Sequence, residues 1–438
     1  MSVLIESIIE KVRQHPKLVI AEDFEVAVQQ TRSSQCKYYN GEVAQDREEN
    51  KTWISLRILH RRQPGRAIIG LSSKEAIHGL VESAFESSRR SNPDPWFRFP
   101  LWKRPRSESE GATPGPELSA GERYPSLFSE ISDRPEVFEE IYEVSSIETQ
   151  LFRKTERFPL SSTKQTHGMK FSLLRQVEDQ FFRLEEERGY GRPLEERREW
   201  LDTLFHQSSE LKKGCGRVAS AELNCLFGPA VISALLKRIV SWFYADLVQS
   251  GRSPLPLEKG GNLLSPLLTL IDDGDYPGAI NAAPFDLEGT PTQSTFLIDQ
   301  GKVSELLYDT YFATRENRIS TGNFMRPIQA LTPRITASNL YFKPSGITLG
   351  DLVRDLGSGI YLQNISSLEL VPGTEREFLL RGSGWRLEGE ECVHPVWDLS
   401  LQFDIFDLFR RVAQVGSDLT FYGAFGSPSI LFEKVAVI

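Results

Sequence analysis

Residues 24–32, FEVAVQQTR, and residues 52–59, TWISLRIL, alternate apolar and polar side chains, the pattern of half-buried strands. Tyr39-Asn40-Gly41 lies between them, and Asn-Gly tolerates the positive φ that a tight reversal requires. Ala67-Ile68-Ile69-Gly70-Leu71 reads as another strand. Ser72 or Ser73 can cap a helix over 74–90, where Ile77, Leu80, Val81 and Phe85 share one face. Several antiparallel strands followed by a helix predict an α+β amino-terminal domain. Ahead of it, MSVLIESIIEKVRQH has the spacing of an amphipathic helix. With Glu6 and Glu10 in it, it lacks the long apolar core of a signal peptide.

Downstream, residues 103–135 (KRPRSESEGATPGPELSAGERYPSLFSEISDRP) hold few apolar residues among Pro, Gly, Ser and charges. They read as a linker or mobile loop. Strands are predicted at 140–146, 149–154 and 169–175 around a polar turn, which repeats the layout of the first block and suggests a diverged duplication. The Glu- and Arg-rich stretch 177–213 reads as surface helices. From about 218 onward, glycine turns and apolar strands prevail. Leu223–Phe227 is a short strand, and Gly228-Pro229 opens a helix of about 20 residues, Pro being favoured at the first helical position. Strands follow at 294–298, 303–308, 339–343, 359–363, 376–380 and 396–403, with turns such as Asp299-Gln300-Gly301, and a helix runs from Ile405 to Val415. The expected organisation is an α+β first part over 1–102, the linker over 103–135, and a second α+β part over 136–217. A large, mostly antiparallel β-rich domain then occupies 218–438.

Composition narrows the function. With 51 Lys and Arg against 60 Asp and Glu, the net charge is −9. Binding nucleic acid or an anionic membrane relies on clustered cations that release counterions, so neither is the expected main task. No window approaches the ~18 uncharged apolar residues of a membrane span, and a cytoplasmic location is expected. Cys36, Cys215, Cys225 and Cys392 lie far apart without a C-x-x-C, which favours reduced thiols over a disulfide framework.

Common catalytic motifs are absent. There is no G-x-x-x-x-G-K-[ST] and no G-x-S-x-G; Gly357-Ser358-Gly359 and Gly382-Ser383-Gly384 have the wrong spacing. Gly214-Cys215-Gly216-Arg217-Val218-Ala219 follows a charged stretch rather than a strand and reads as a turn. The six histidines, His15, His60, His78, His167, His206 and His394, show no pair at helical metal-ligand spacing. Carboxylates do concentrate locally, in Asp272-Asp273-Gly274-Asp275 and Asp286-Leu287-Glu288-Gly289. Such residues either satisfy turn geometry in solvated loops or form a cleft rim that holds a peptide amine or orders a catalytic loop.

The same carboxylates lie in a longer ordered set. It runs through Ser265-Pro266-Leu267, Ile271-Asp272-Asp273, Pro277-Gly278 and Pro284-Phe285-Asp286-Leu287-Glu288-Gly289-Thr290-Pro291-Thr292-Gln293. Thr321-Gly322-Asn323, Ser338-Asn339-Leu340-Tyr341, Gly359-Ile360-Tyr361 and Gly426-Ser427-Pro428-Ser429 complete it. This set resembles the TldD/PmbA peptidase family well over 218–438, in outline over the first 90 residues, and weakly between. The resemblance implies an α+β amino-terminal domain, an extensive antiparallel carboxy-terminal sheet, and dimers enclosing a cleft. In the family's heterodimers a TldD-type subunit holds zinc through an H-E-x-x-x-H helix and a later cysteine and cleaves short unfolded peptides, while the TldE/PmbA-type subunit lacks those ligands.

This chain resembles the zinc-free type. Aligning Leu235-Leu236 with the paired apolar residues before the motif places Lys237 at the first His, Arg238 at the Glu and Trp242 at the second His. A protonated lysine has no free lone pair for zinc, and neither Arg238 nor Trp242 can act as a base toward a metal-bound water. Arg381-Gly382-Ser383-Gly384-Trp385, the region of the late cysteine, contains none. Lys237 and Arg238 are either the wet edge of an amphipathic helix or part of the cleft lining. The resemblance thus implies no catalytic or metal residue in this chain and no cofactor of its own, with zinc in a TldD-type partner. Asp286, Glu288, Thr292, Gln293 and Asn323 are the candidate cleft or peptide-binding residues. Self-association into a homodimeric peptide-binding protein, and a metal-independent role in natural-product tailoring, stand as alternatives.

Overall fold

The computed structural model describes residues 2–71, 76–102, 119–131, 134–156, 158–177, 180–211, 216, 218–255, 262–324, 334–389 and 391–438. Helix α1 (Ser2–Arg13) precedes strands β1 (Asp23–Tyr39), β2 (Glu42–His60) and β3 (Gln63–Gly70), then α2 (Ala76–Arg90) and the short α3 (Ala120–Arg123). Strands β4 (Val137–Arg153), β5 (Leu160–Val177) and β6 (Gln180–Tyr190) lead to α4 (Arg197–Leu211). All six strands form one antiparallel sheet in the order β3-β2-β1-β4-β5-β6. Each half is a three-strand meander followed by a helix, and the halves meet at β1 and β4. This is the layout that the repeated sequence pattern suggests.

Several elements differ from expectation. β1 and β2 pair from Asp23↔Leu59 to Tyr39↔Glu42, far beyond the alternating 24–32 and 52–59. Alternation marks only the stretch with a buried face, whereas residues 42–48 are exposed and held by the ladder alone. β4 runs unbroken through both strands predicted over 140–154, because Ser145 and Ser146 pair with Ser33 and Arg32. The start of the charged stretch 177–213 is strand β6, not helix. Phe182 and Leu184 point into the core there while Arg183 and Glu185 do not, a period of two obscured by charge. Residues 119–131 of the expected linker are packed: Ala120, Tyr124, Leu127 and Ile131 share a core with Phe138, Tyr142 and Phe171, and a Ser119–Glu122 capping box starts α3. Residues 103–118 of that expected linker lie outside the described residues.

The carboxy-terminal region starts with β7 (Ala221–Phe227), α5 (Pro229–Ile239), one turn of 3-10 helix and α6 (Ala245–Gln249). The single helix of about 20 residues is therefore broken after Ile239. Next come β8 (Leu270–Asp273), β9 (Ser294–Asp299), β10 (Lys302–Val303), α7 (Thr310–Arg315), β11 (Leu340–Phe342) and α8 (Leu349–Leu356). The remaining elements are β12 (Ser358–Leu370), β13 (Glu377–Glu388), β14 (Glu391–Asp404), α9 (Ile405–Arg410), β15 (Val412–Val415), β16 (Thr420–Tyr422), β17 (Phe425–Ser427) and β18 (Ile430–Val437). They build two sheets, β10-β9-β8-β11-β17-β16 and β14-β13-β12-β7-β18-β15, antiparallel except at β11–β17 and β12–β7. The helix expected over 405–415 ends at Arg410, because Val412–Val415 pairs with β18. The strand expected over 303–308 stops at Val303; buried Leu307 makes only an isolated parallel bridge to Tyr244. Val231, Ile232, Leu235, Leu236 and Ile239 of α5 enter the principal core with Phe227, Phe342 and Phe432.

Among the described residues, no helix is long and apolar enough to cross a membrane.

Candidate functional site

Three separately read pieces of the signature converge around β8. Asp272 is 1% exposed; its Oδ1 accepts from the Ser338 amide at 2.7 Å and its Oδ2 from Asn323 Nδ2 at 2.7 Å. Asn323 also donates to the Thr336 carbonyl at 3.1 Å and accepts the Thr321 hydroxyl at 2.6 Å. Asn339 ties in the next turn, donating to the Asp273 carbonyl at 2.8 Å and accepting from the Asn281 amide at 3.0 Å. Burial pushes the Asp272 carboxyl up to about 7.

The Asp286–Gln293 loop is built around its two acids. Asp286 Oδ1 accepts from the amides of Glu288 and Thr290, both at 2.9 Å, and Oδ2 from the Phe324 amide at 3.0 Å. Burial, and then the neighbouring Glu288, raise its pKa well above the carboxylate range. Glu288 points the other way, into the amino-terminal sheet. Its Oε1 accepts from Arg57 Nη1 at 2.7 Å, its Oε2 from the Thr310 amide at 2.9 Å, and its carbonyl from Trp102 Nε1 at 2.8 Å. Arg57 turns its Nε and Nη2 to Glu25 at 3.0 and 2.9 Å, and its guanidinium lies 4.9 Å from the Phe324 ring centre. Although burial works against the cation, Glu25 and Glu288 hold its pKa above the ordinary arginine value. Phe285 completes the joint by packing with Ala27, Trp102, Leu151 and Leu160.

Of the five candidate residues, Asp286, Glu288 and Asn323 are therefore buried, with their carboxylate and amide groups engaged internally. Thr292 is half-buried and donates its hydroxyl to the Ala283 carbonyl. Gln293 is exposed, and its carbonyl accepts from the Gly274 amide at 3.1 Å. What this arrangement can do chemically is fix backbone: the acids act as acceptors for loop amides across the joint between amino- and carboxy-terminal regions. Sequence reasoning missed Arg57, Glu25 and Trp102. Arg57 alternates with the apolar Leu56 and Ile58 in a predicted strand, and nothing in that pattern identifies a partner 231 residues away.

Gly289 adopts φ +78°, and a Cβ there would stand 2.4 Å from Trp102 Nε1. Gly289→Ala is expected to cost roughly 1–2 kcal/mol for the left-handed backbone, and more for displacing the indole. A lower unfolding midpoint together with a red-shifted tryptophan emission would show it. Unchanged values would mean that the loop does not seat Trp102.

The positions aligned with the zinc motif lie at and beyond the end of α5. Lys237 and Arg238 are exposed, and Arg238 Nη2 donates to the Leu368 carbonyl at 2.9 Å. Trp242 is 8% exposed, its ring 5.6 Å from that of Phe406 and 6.5 Å from that of Phe378. Two cations and a core indole do not fit a zinc ion, which needs lone-pair donors converging on one point. Ser383, in the late-cysteine region, lies in β13.

Residues 220–438 match the model of the PmbA/TldA metallopeptidase C-terminal domain. An uncharacterized protein of Methanocaldococcus jannaschii is 27% identical over 225 residues, 51% of this chain and 52% of that protein; the match thus spans about half the length of that relative. Metalloprotease PmbA of Escherichia coli O157:H7 is 19% identical over 430 residues, covering 94% of this chain and 91% of its own. The crystal structure of TldE from Thermococcus kodakarensis superposes with a TM-score of 0.84 at 16% identity, over 99% of each chain. That likeness concerns the fold.

Proposed function

Because the chain belongs to the PmbA/TldD metallopeptidase family, we propose that it is a non-catalytic subunit of the TldE/PmbA type. It completes the substrate cleft of a zinc-bearing, TldD-type partner that cleaves or trims small unstructured or modified peptides. One observation carries the reading: the residues aligned with the zinc motif are Lys237, Arg238 and Trp242, two exposed cations and a core aromatic. None supplies a zinc ligand or a general base, so no hydrolytic step is assigned to this chain. Its contribution is structural, through a rigid joint that fixes the loops after β8 relative to the amino-terminal sheet.

The test is metal analysis of the untagged protein, followed by reconstitution with a family member that carries H-E-x-x-x-H. Zinc well below about one ion per chain is expected, with no chelator-sensitive peptidase activity alone and formation of a stable complex whose activity requires both chains. Tightly held stoichiometric zinc in the isolated chain would overturn the proposal. So would a partner whose activity is indifferent to this subunit.

A further inference from the structure

β3 pairs with β2 only over Trp53–His60. Among the described residues, the outer edge of β2 over 42–51 therefore has no neighbouring strand. The ladder to β1 is shifted at Lys37/Tyr38, where it steps from Gln45 to Val43, and the regular edge begins at Gln45. Residues 45–51 present roughly 24 Å of strand, every second residue directing its N–H and C=O outward. The stretch is also charged. Glu49 takes both of its cations, Arg47 and Lys51. None of the ion pairs among the described residues engages Glu42, Asp46 or Glu48.

Charge on a lone edge discourages aggregation, but these charges also select an occupant. A twofold that pairs two copies of this edge keeps each side chain on its own face, so it must be centred on a residue. Centred on 46 it sets Asp46 against Asp46. Centred on 47 it sets Arg47 against Arg47 and Asp46 against Glu48. Centred on 48 it opposes Glu48 to Glu48 and sets Arg47 against Glu49, which already pair with each other within each copy; centred on 49 it opposes Glu49 to Glu49 and Arg47 to Lys51. Centred on 50 or 51 it leaves at most five residues before each copy meets the other's β3 at Trp53. Directly opposed like charges destabilise a strand pair, and the register centred on 48 gains only cations that Glu49 already holds, so a second copy is a poor fit. A strand with cations opposite Asp46 and Glu48 meets both carboxylates and the free backbone groups at once.

We propose that the outer edge of β2 over residues 45–51 accepts, as an added strand, an extended lysine- and arginine-rich segment of another protein. This surface is separate from the joint at Arg57 and does not depend on a zinc-bearing partner.

The probe is a fluorescein-labelled peptide of four Lys-Val repeats, titrated into the full chain at low salt. A Glu-Val peptide and a Lys-Val peptide N-methylated at alternate residues serve as controls. Binding of the first peptide is expected, with amide-exchange protection appearing over 45–51. Asp46→Lys with Glu48→Lys, and separately backbone N-methylation, should each weaken it by about tenfold or more, equivalent to ~1.4 kcal/mol. Should the charge-reversed chain misfold, Asp46→Asn with Glu48→Gln removes the same charges and should lower affinity in the same direction. No binding, or equal binding by the N-methylated peptide or the variants, would overturn strand addition. Protection over 45–51 that arises instead from self-association in sedimentation would also overturn it.

Discussion

Arg57→Met is expected to lower the unfolding free energy by about 3–5 kcal/mol, the cost of breaking a buried ion pair from one side. Glu25 and Glu288 are both 2% exposed, and the Arg57 guanidinium bonds both. Methionine replaces the packing against Phe99 and Phe324 but removes the cation that both buried carboxylates share. Because Glu25 and Glu288 belong to different regions of the chain, the loss should also uncouple them. Urea unfolding followed by circular dichroism is expected to change from one transition to two. Arg410→Ala is the contrast: its pair with Asp407 is exposed at the surface, where such pairs contribute about 0–1 kcal/mol. A loss below about 1 kcal/mol for Arg57→Met would mean that the joint is not an ionic core in solution.

The same joint predicts an unusual pH dependence. Asp309 caps α7 by accepting from the Phe312 amide at 2.8 Å. Burial, and then the charge of Glu288, push its carboxyl up to about 7, against the opposing effects of the amide bond and Arg57; Asp246 adds to the rise. Asp272 rises to about 7 through burial. A carboxyl whose pKa is raised by folding keeps its proton longer in the folded state. Its contribution is complete below the unfolded pKa near 4 and is lost as pH rises through about 7. Stability should therefore decline between pH 4 and 8, at about 1.4 kcal/mol per displaced pKa unit for each group. Asp309→Asn keeps an acceptor for the Phe312 amide and removes the charge that opposes Glu288. It is expected to match the wild type only below about pH 4, to exceed it by a margin that grows from pH 5 to 8, and to flatten the decline. Thermal melts across this range decide the matter, and a melting temperature that rises steadily from pH 5 to 8 would contradict the assignment.

Legibility in the sequence follows how local each signal is. Strand β9, the α2 face of Ile77, Leu80, Val81 and Phe85, and the α5 face of Val231, Ile232, Leu235 and Ile239 were readable because burial imposes its period on neighbouring residues. The outer arms of β1 and β2 and strand β6 were not, because cross-strand pairing holds them while their side chains face water or carry charge. The acids of the 286–289 loop were legible as a concentration. Their partners were not: the Glu288–Arg57 bond spans 231 positions and leaves no trace in composition. Trp242 shows the limit of aligned positions, since alignment gives its residue type while only packing shows that it belongs to the core.

The place of β18 bears on the order in which the protein is made. All strands of the amino-terminal sheet have been synthesised once residue 190 is reached, so that sheet can close on a nascent chain still attached to the ribosome. In the β14-β13-β12-β7-β18-β15 sheet, β18 is the last strand synthesised yet lies between β7 and β15. Phe432, Val435 and Val437 from it fill the same core as α5. β7 and β15 therefore stay unjoined, with apolar edges open, until translation has passed residue 437. The β14-β13-β12-β7 part of this sheet can pair earlier, but its closure onto β15 is left to the end of synthesis, and until then the open edges are exposed to premature pairing.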